Sequence, residues 1–462
     1  MSDALHRNRV LNNRDLMHLV TTFLTGDDSD DDSGRLKSQA LPIVLSIRSV
    51  FDYFREGNSC FISHRRDFIS SVQMIEWSIQ LGSGYTRDSD TLCTQLAADG
   101  NVRLLEWARS QEYSWSWETS QAAAKYKNSD VLEWLIEQTP PCPLNTYTSQ
   151  LIAENGWANM IQRISNSSNL PPSWSRTICA GACRGGHLDI LQWASSRNPP
   201  YPLTTACCIN AAEAGHLYII QWLLSQNPPC PWDWRVTACI AGRGHMDVLQ
   251  YVRSLRPPCP WNENTCSAAA RAGRLDIIQF AREHTPPCDW SELTLASAAS
   301  MGHLHVVVWC REQSPPCKWD STVTAAAAEG AHLHVLQWLR EQNPPCPWGV
   351  STCASAARRG HLQVLQYARS MEPPCPWDWR VISEAASGGH LHIIEWARTQ
   401  SPPCSWNGEA CMEAVRHNNL FVLKWLKYQR PSCPWRWDKC RRCAIQYGHS
   451  EILQWLEENV NL

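Results

Sequence analysis

Residues 360–388, GHLQVLQYARSMEPPCPWDWRVISEAASG, decide how the whole chain is read, because Gly389 begins the same pattern again. The position of Gly360 recurs at Gly186, Gly215, Gly244, Gly273, Gly302, Ala331, Gly389 and Asn418, and eight successive intervals of 29 residues separate Gly186 from Asn418. A fixed period between about 20 and 50 residues marks a solenoid, in which each supersecondary unit buries its apolar face against its neighbours rather than in one central core. The 462 residues are therefore not the two or three globular domains that their number alone suggests.

Within a unit the hydrophobic pattern predicts two helices. Seven positions after the anchor stands an aromatic residue, as at Trp193, Trp222, Tyr251, Phe280, Trp309, Trp338, Tyr367, Trp396 and Trp425. With Leu362, Val364, Leu365 and Ala368 around Tyr367, the apolar set is wider than one stripe, as a helix packed between two neighbours requires. Pro373-Pro374 ends this second helix, since proline cannot continue the hydrogen-bond ladder and pushes the preceding residue towards extended geometry. Asn198, Asn227 and Asn343, just before such pairs, suit a helix end in the left-handed region. A short first helix follows PPCPW, as in VISEAASG. Its alanines, like Ala356 and Ala357 one copy earlier, allow close helix approach, and Gly360 supplies the turn into the second helix.

Degenerate copies begin at Ser70, Gly100, Lys127 and Gly156, and a last one at Gly448 follows one extra residue, giving about 14 copies in residues 70–462. The copy at Gly156 has Arg163 where the others carry an aromatic, and a polar insertion before Pro171, so a hinge is expected near 156–175. Residues 1–69 do not follow the period. Two apolar helical segments there flank an acidic run, and residues 26–34 read as a solvated loop because Asp27, Asp28, Asp30, Asp31 and Asp32 repel one another.

A net charge of −3 gives no global field of the kind that marks a nucleic-acid or membrane binder, so neither is expected as a partner. The N-terminal stretch has no apolar secretory core, and no run of about 18 apolar residues occurs, which makes the cytoplasm the expected compartment, with the nucleus open by passive sorting. Of the 22 cysteines, Cys230, Cys259, Cys288, Cys317, Cys346, Cys375, Cys404 and Cys433 share one repeat position. Stacked helices lie about 8–10 Å apart, whereas a disulfide needs Cα atoms within about 7 Å and zinc needs sulfurs at about 2.3 Å. These cysteines read as reduced thiols, neither bridged nor metal-bound.

Ala356-Ala357-x-x-Gly360-His361-Leu362-x-Val364-Leu365 and its cognates resemble the ankyrin repeat, and look most like the short variant with GHLxVLxWAR and CPWD signatures of protists, algae and giant viruses. The resemblance implies an all-α, ankyrin-like helix-pair solenoid over 70–462 that binds a partner protein through a concave face lined by first helices, with no cofactor. The T-P-L-H motif is missing, and a shorter PPCPW turn stands where the family carries a β-hairpin finger. Residues 1–69, through DLMHLVTTFL and LPIVLSIRSVFDYF, are faintly similar to an F-box-like module. That likeness implies the alternative of a ubiquitin-ligase substrate receptor contacting an adaptor through 1–69.

The histidines after each anchor, such as His361 and His390, read as turn residues, because a metal would need two of them to converge. Cys440-x-x-Cys443 with His449 has a zinc-like spacing, but both cysteines fall on first-helix positions. No glycine-rich phosphate loop, nucleophile elbow, kinase signature or HExxH occurs, so the chain reads as a non-enzymatic scaffold rather than an enzyme with an unrecognised site. Binding candidates come instead from positions that vary between copies. Trp234-Arg235 and Trp379-Arg380 occupy one such position, since exposed tryptophan and arginine are frequent interface anchors. The positions near the ends of first helices also vary, with Arg184, Glu213, Arg243, Arg271, Ser300, Arg358, Arg359 and Arg416, and a basic stripe there, of Arg184, Arg243, Arg271, Arg358 and Arg359, would suit an acidic partner.

Overall fold

The computed structural model describes residues 87–165 and 173–459, with the single positions 72 and 75. The expected N-terminal region 1–69 and its acidic stretch 26–34 lie outside them. Among the described residues there are 26 helices and no strand, arranged as successive helix pairs. The chain divides into two compact units, Met1–Cys142 and Pro143–Leu462. The interval 156–175 falls inside the second unit, with 166–172 outside the described residues, and the helix Thr146–Glu154 before it packs on Ser173–Gly185, which starts within it.

In the second unit successive first helices pack on one another, and each packs on the second helix of its own pair. The pair Val350–Arg358 and Leu362–Ser370 shows why. Ala356 and Ala357 of the first helix are fully buried, and so, nearly or entirely, are Val364, Leu365 and Ala368 of the second. Small residues on one helix and branched ones on the other let the layers close without voids.

Helix starts follow from side-chain chemistry. Asp378 caps Trp379–Ser387 by accepting the Arg380 backbone N–H at 2.9 Å, and Asp233, Asn262, Ser291, Asp320 and Asn407 cap their own first helices in the same way. Trp234 and Trp379 are therefore the first helical residues rather than part of the turn.

Helix ends use the anchor. Gly360 has φ +83°, and the backbone N–H of His361 donates to Ala356 O at 2.9 Å, the left-handed closure expected there. Ala331 and Asn418 adopt the same turn with φ of 61° and 59°. The asparagines before the proline pairs behave otherwise than expected. Asn198, Asn227 and Asn343 are not in the left-handed region; each precedes a cis proline bond, and Gln226 and Gln342 already end their helices with extended backbone at ψ 159°. The proline ring that follows leaves its predecessor no room to close a helical end.

Candidate binding site on the first-helix face

Two sets of hydrogen bonds tie consecutive units and fix the geometry of this face. The PPC thiols reach back 26 residues to the carbonyl of a cap residue: Cys375 donates to Gly349 O at 3.4 Å, Cys404 to Asp378 O at 3.2 Å and Cys433 to Asn407 O at 3.2 Å. The turn histidines do the corresponding task at the other end, where the last carbonyls of a helix lack intrahelical donors. His361 Nε2 bonds Glu329 O at 3.0 Å, and His390 Nε2 bonds Arg358 O at 3.1 Å, each 32 residues back. Arg274, Asn128 and Asn419 replace histidine in their copies and still reach the preceding unit's carbonyls. Burial holds His332 and His390 below the usual histidine value, because the charged ring loses solvent there. Burial likewise pushes the Cys317, Cys346 and Cys404 thiols up to about 12.

The 21 described cysteines are free thiols. Spacing between equivalent cysteines does not cover all the contacts they make: Cys266 and Cys288, 22 residues apart, share one buried cluster with Ala281, covered by Trp261 and Trp290. Cys440 directs its thiol to Met412 Sδ at 3.7 Å, while His449 bonds Arg416 O at 3.1 Å.

A set of arginines escaped the sequence reading although the period carries it: Arg253, Arg282, Arg311, Arg340, Arg369 and Arg398, one per unit. Each guanidinium lies 3.7–4.2 Å over the centroid of the PPCPW tryptophan of its unit and donates to the PPC carbonyl. Arg369 thus covers one side of Trp377, and Trp396 of the next unit meets that tryptophan edge-on at 5.9 Å. These tryptophans are inter-unit packing.

The binding candidates lie elsewhere on the units. Trp234 and Trp379 are 40% and 37% exposed, among a dozen large apolar side chains that packing leaves at the surface of the described residues. Arg235 and Arg380 are each held by the aspartate two residues before them, Arg380 Nε bonding both Asp378 carboxylate oxygens at 3.1 Å. That arginine holds the Asp378 carboxyl below the usual carboxylate range. The stripe is mixed in charge rather than basic. Glu213 lies between Arg184, at 2.6 Å, and Arg243; Arg359 meets Glu329 at 2.9 Å; Arg358 stands 3.9 Å from Glu384; Arg271 is exposed. Trp379, Arg380 and Arg358 come together with Glu384, Glu409 and Arg416 around a groove of about 660 Å³, whereas Trp234, Arg184, Arg243, Arg271 and Arg359 do not line it. No helix among the described residues is long and apolar enough to cross a membrane.

No protein-family model and no curated protein matches the chain. Among solved structures it is similar to the pentatricopeptide repeat protein PPR10 in complex with an 18-nucleotide psaJ RNA element, at 11% identity and a TM-score of 0.31. A triple cysteine-to-serine form of that protein, also with the RNA, matches with the same values. Each match covers 84% of this chain and 66% of the other, just under two thirds of its length. At that score the likeness carries no argument about what this chain binds. The expectation that nucleic acid is excluded as a partner is nonetheless corrected: those solved proteins are in complex with RNA, and a modest net charge is no ground for the exclusion.

Proposed function

We propose that this helical repeat protein is a non-enzymatic binding scaffold of the short ankyrin-like type, which holds a protein partner on the face formed by its first helices and the turns before them. The ankyrin assignment is supported by the Ala356–Leu365 turn, whose glycine closes one helix and starts the next. We place the protein in a reducing compartment, cytoplasmic or nuclear, a reading supported by buried thiols that serve as hydrogen-bond donors.

One observation carries the binding reading. Trp379 begins a helix whose cap carbonyl and last carbonyls are already bonded by Cys404 and Asn419, yet its own ring stays exposed, at a position where other units have Glu263, Ser321, Val350 or Gly408. Stacking does not need the tryptophan. Truncating an interface anchor costs about 2 kcal/mol of binding or more, whereas an ordinary surface change stays within about 0.5 kcal/mol of stability. The double variant Trp379→Ala, Arg380→Ala should therefore lose its partners in a pull-down while melting as the parent does. Partners retained with a lowered melt would make Trp379 a packing residue and remove the site.

A further inference from the structure

We propose that the groove beside Trp379 takes a cationic side chain, arginine or lysine, presented by the protein partner; this rests on the reading of the first-helix face as the binding surface. The argument is one of unspent charge. Three guanidinium groups reach the groove, and two are closely paired: Arg380 with both oxygens of Asp378, and Arg416 with Glu413, which also lies 3.5 Å from His417. The third, Arg358, is 3.9 Å from Glu384, a long separation between groups that are both well exposed. Glu409 lines the same groove, is exposed, and forms no ion pair among the described residues. Three carboxylates and three guanidinium groups line the groove, and Asp378, outside the lining, neutralises Arg380, which leaves Glu409 as the carboxylate without a counter-charge.

An incoming anion finds only Arg358, whose charge Glu384 already offsets; any other guanidinium would have to leave Asp378 or Glu413. An incoming cation displaces nothing: it finds the Glu409 carboxylate open, Glu384 only loosely held, and the ring of Trp379 as a wall. A tryptophan face attracts a cation through its quadrupole, and the attraction grows as water is excluded. Ser383 and Ser387 add short polar side chains to the lining, which leave room for a long side chain to enter. The exposed arginines of this face, read along the sequence, suggest an acidic partner; paired as they are in space, they select the opposite sign at this groove.

The test uses full-length protein labelled with 5-fluorotryptophan, in which the Trp379 fluorine resonance is assigned by its loss in Trp379→Phe. Two nonapeptides of glycine and serine are titrated, one with a central arginine and one with a central glutamate. The arginine peptide should shift the Trp379 resonance saturably and the glutamate peptide should not. The double variant Glu384→Gln, Glu409→Gln, with both changes on exposed or half-exposed side chains, should weaken the arginine peptide by about threefold to tenfold. The inference is overturned if the glutamate peptide moves the resonance instead, if neither peptide does, or if the double variant binds arginine as the parent does. A partner pull-down that still depends on Trp379 after such a result would leave the binding surface standing and remove only its preference for a cation.

Discussion

Replacing Gly360 by alanine tests the turn on which the period depends. In a helix interior this exchange stabilises by about 0.5–1 kcal/mol. At Gly360 the backbone has φ +83°, where a Cβ costs about 1–2 kcal/mol. The added methyl also lies 2.8 Å from His390 Cε1 and 2.9 Å from Nδ1, closer than carbon atoms normally stand. Moving that ring puts its bond to Arg358 O at risk, worth about 1 kcal/mol. Against these stands the smaller conformational freedom of the unfolded alanine chain, about 0.4–1 kcal/mol. The net expectation is a loss of about 1–2 kcal/mol. The molecule contains its own control, because Ala331 occupies the same turn at φ 61° while His361 still reaches Glu329 O at 3.0 Å. The ring can therefore adjust, and the left-handed backbone is the dominant cost. It follows that Ala331→Gly should stabilise by about 0.5–1 kcal/mol. Hydrogen exchange resolved along the chain is the suitable assay, since a quasi-linear stack loses stability locally. Amides of Val350–Arg358 and Leu362–Ser370 should exchange faster in Gly360→Ala. Protection that rises in Gly360→Ala, or falls in Ala331→Gly, would refute the reasoning.

Two other expectations follow from the same packing. Leu365→Ala removes a fully buried side chain between neighbouring units and should cost about 2–5 kcal/mol, seen as faster exchange concentrated in the copies around residue 365; an even loss over the second unit would argue for one undivided core. His332 and His390 have values held down by burial, so the unfolded chain takes up protons more readily than the folded one. Their contribution is complete above the ordinary histidine value of 6.5 and is lost as the pH falls below it. The melting temperature should therefore drop between about pH 7 and 5, and the double variant His332→Asn, His390→Asn should flatten that drop, because Asn419 already makes the equivalent bond without titrating. A melt that rises on acidification would contradict this.

What the sequence makes legible here is whatever repeats in register and acts locally. Gly360 as the turn, Leu365 as core, Pro373-Pro374 as the helix end and the helix-pair stack itself all follow from the chain's own period. Contacts that join one unit to the next are harder to read, because the two partners sit in different copies. Reading along these positions shows Arg184, Glu213 and Arg243 but not that the carboxylate joins the two arginines across three copies. The same blindness hides the reach of His390 to a carbonyl 32 residues back and the meeting of Cys266 with Cys288. The arginine column from Arg253 to Arg398 was visible as a recurrence, and its task becomes plain only when the guanidinium is found lying on the tryptophan eight residues later. Asn343 misleads for another reason: its own preference for a left-handed helix end is overruled by the proline that follows.

The thiol and histidine ties have a consequence for how such a chain can change length. Cys404 looks back 26 residues and His390 looks back 32, so each tie joins a copy to the one before it. Within the regular block from Gly215 to Asn418, excising or duplicating 29 residues again sets a PPC thiol and a turn histidine, arginine or asparagine opposite equivalent carbonyls at the new junction. A change of one whole period can then lengthen or shorten the array with these ties kept, while an insertion of another size must be absorbed somewhere. The copy at Gly448 shows such an absorption: its helix Trp437–Tyr447 has 11 residues where Trp379–Ser387 has nine, and His449 still reaches Arg416 O, now 33 residues away.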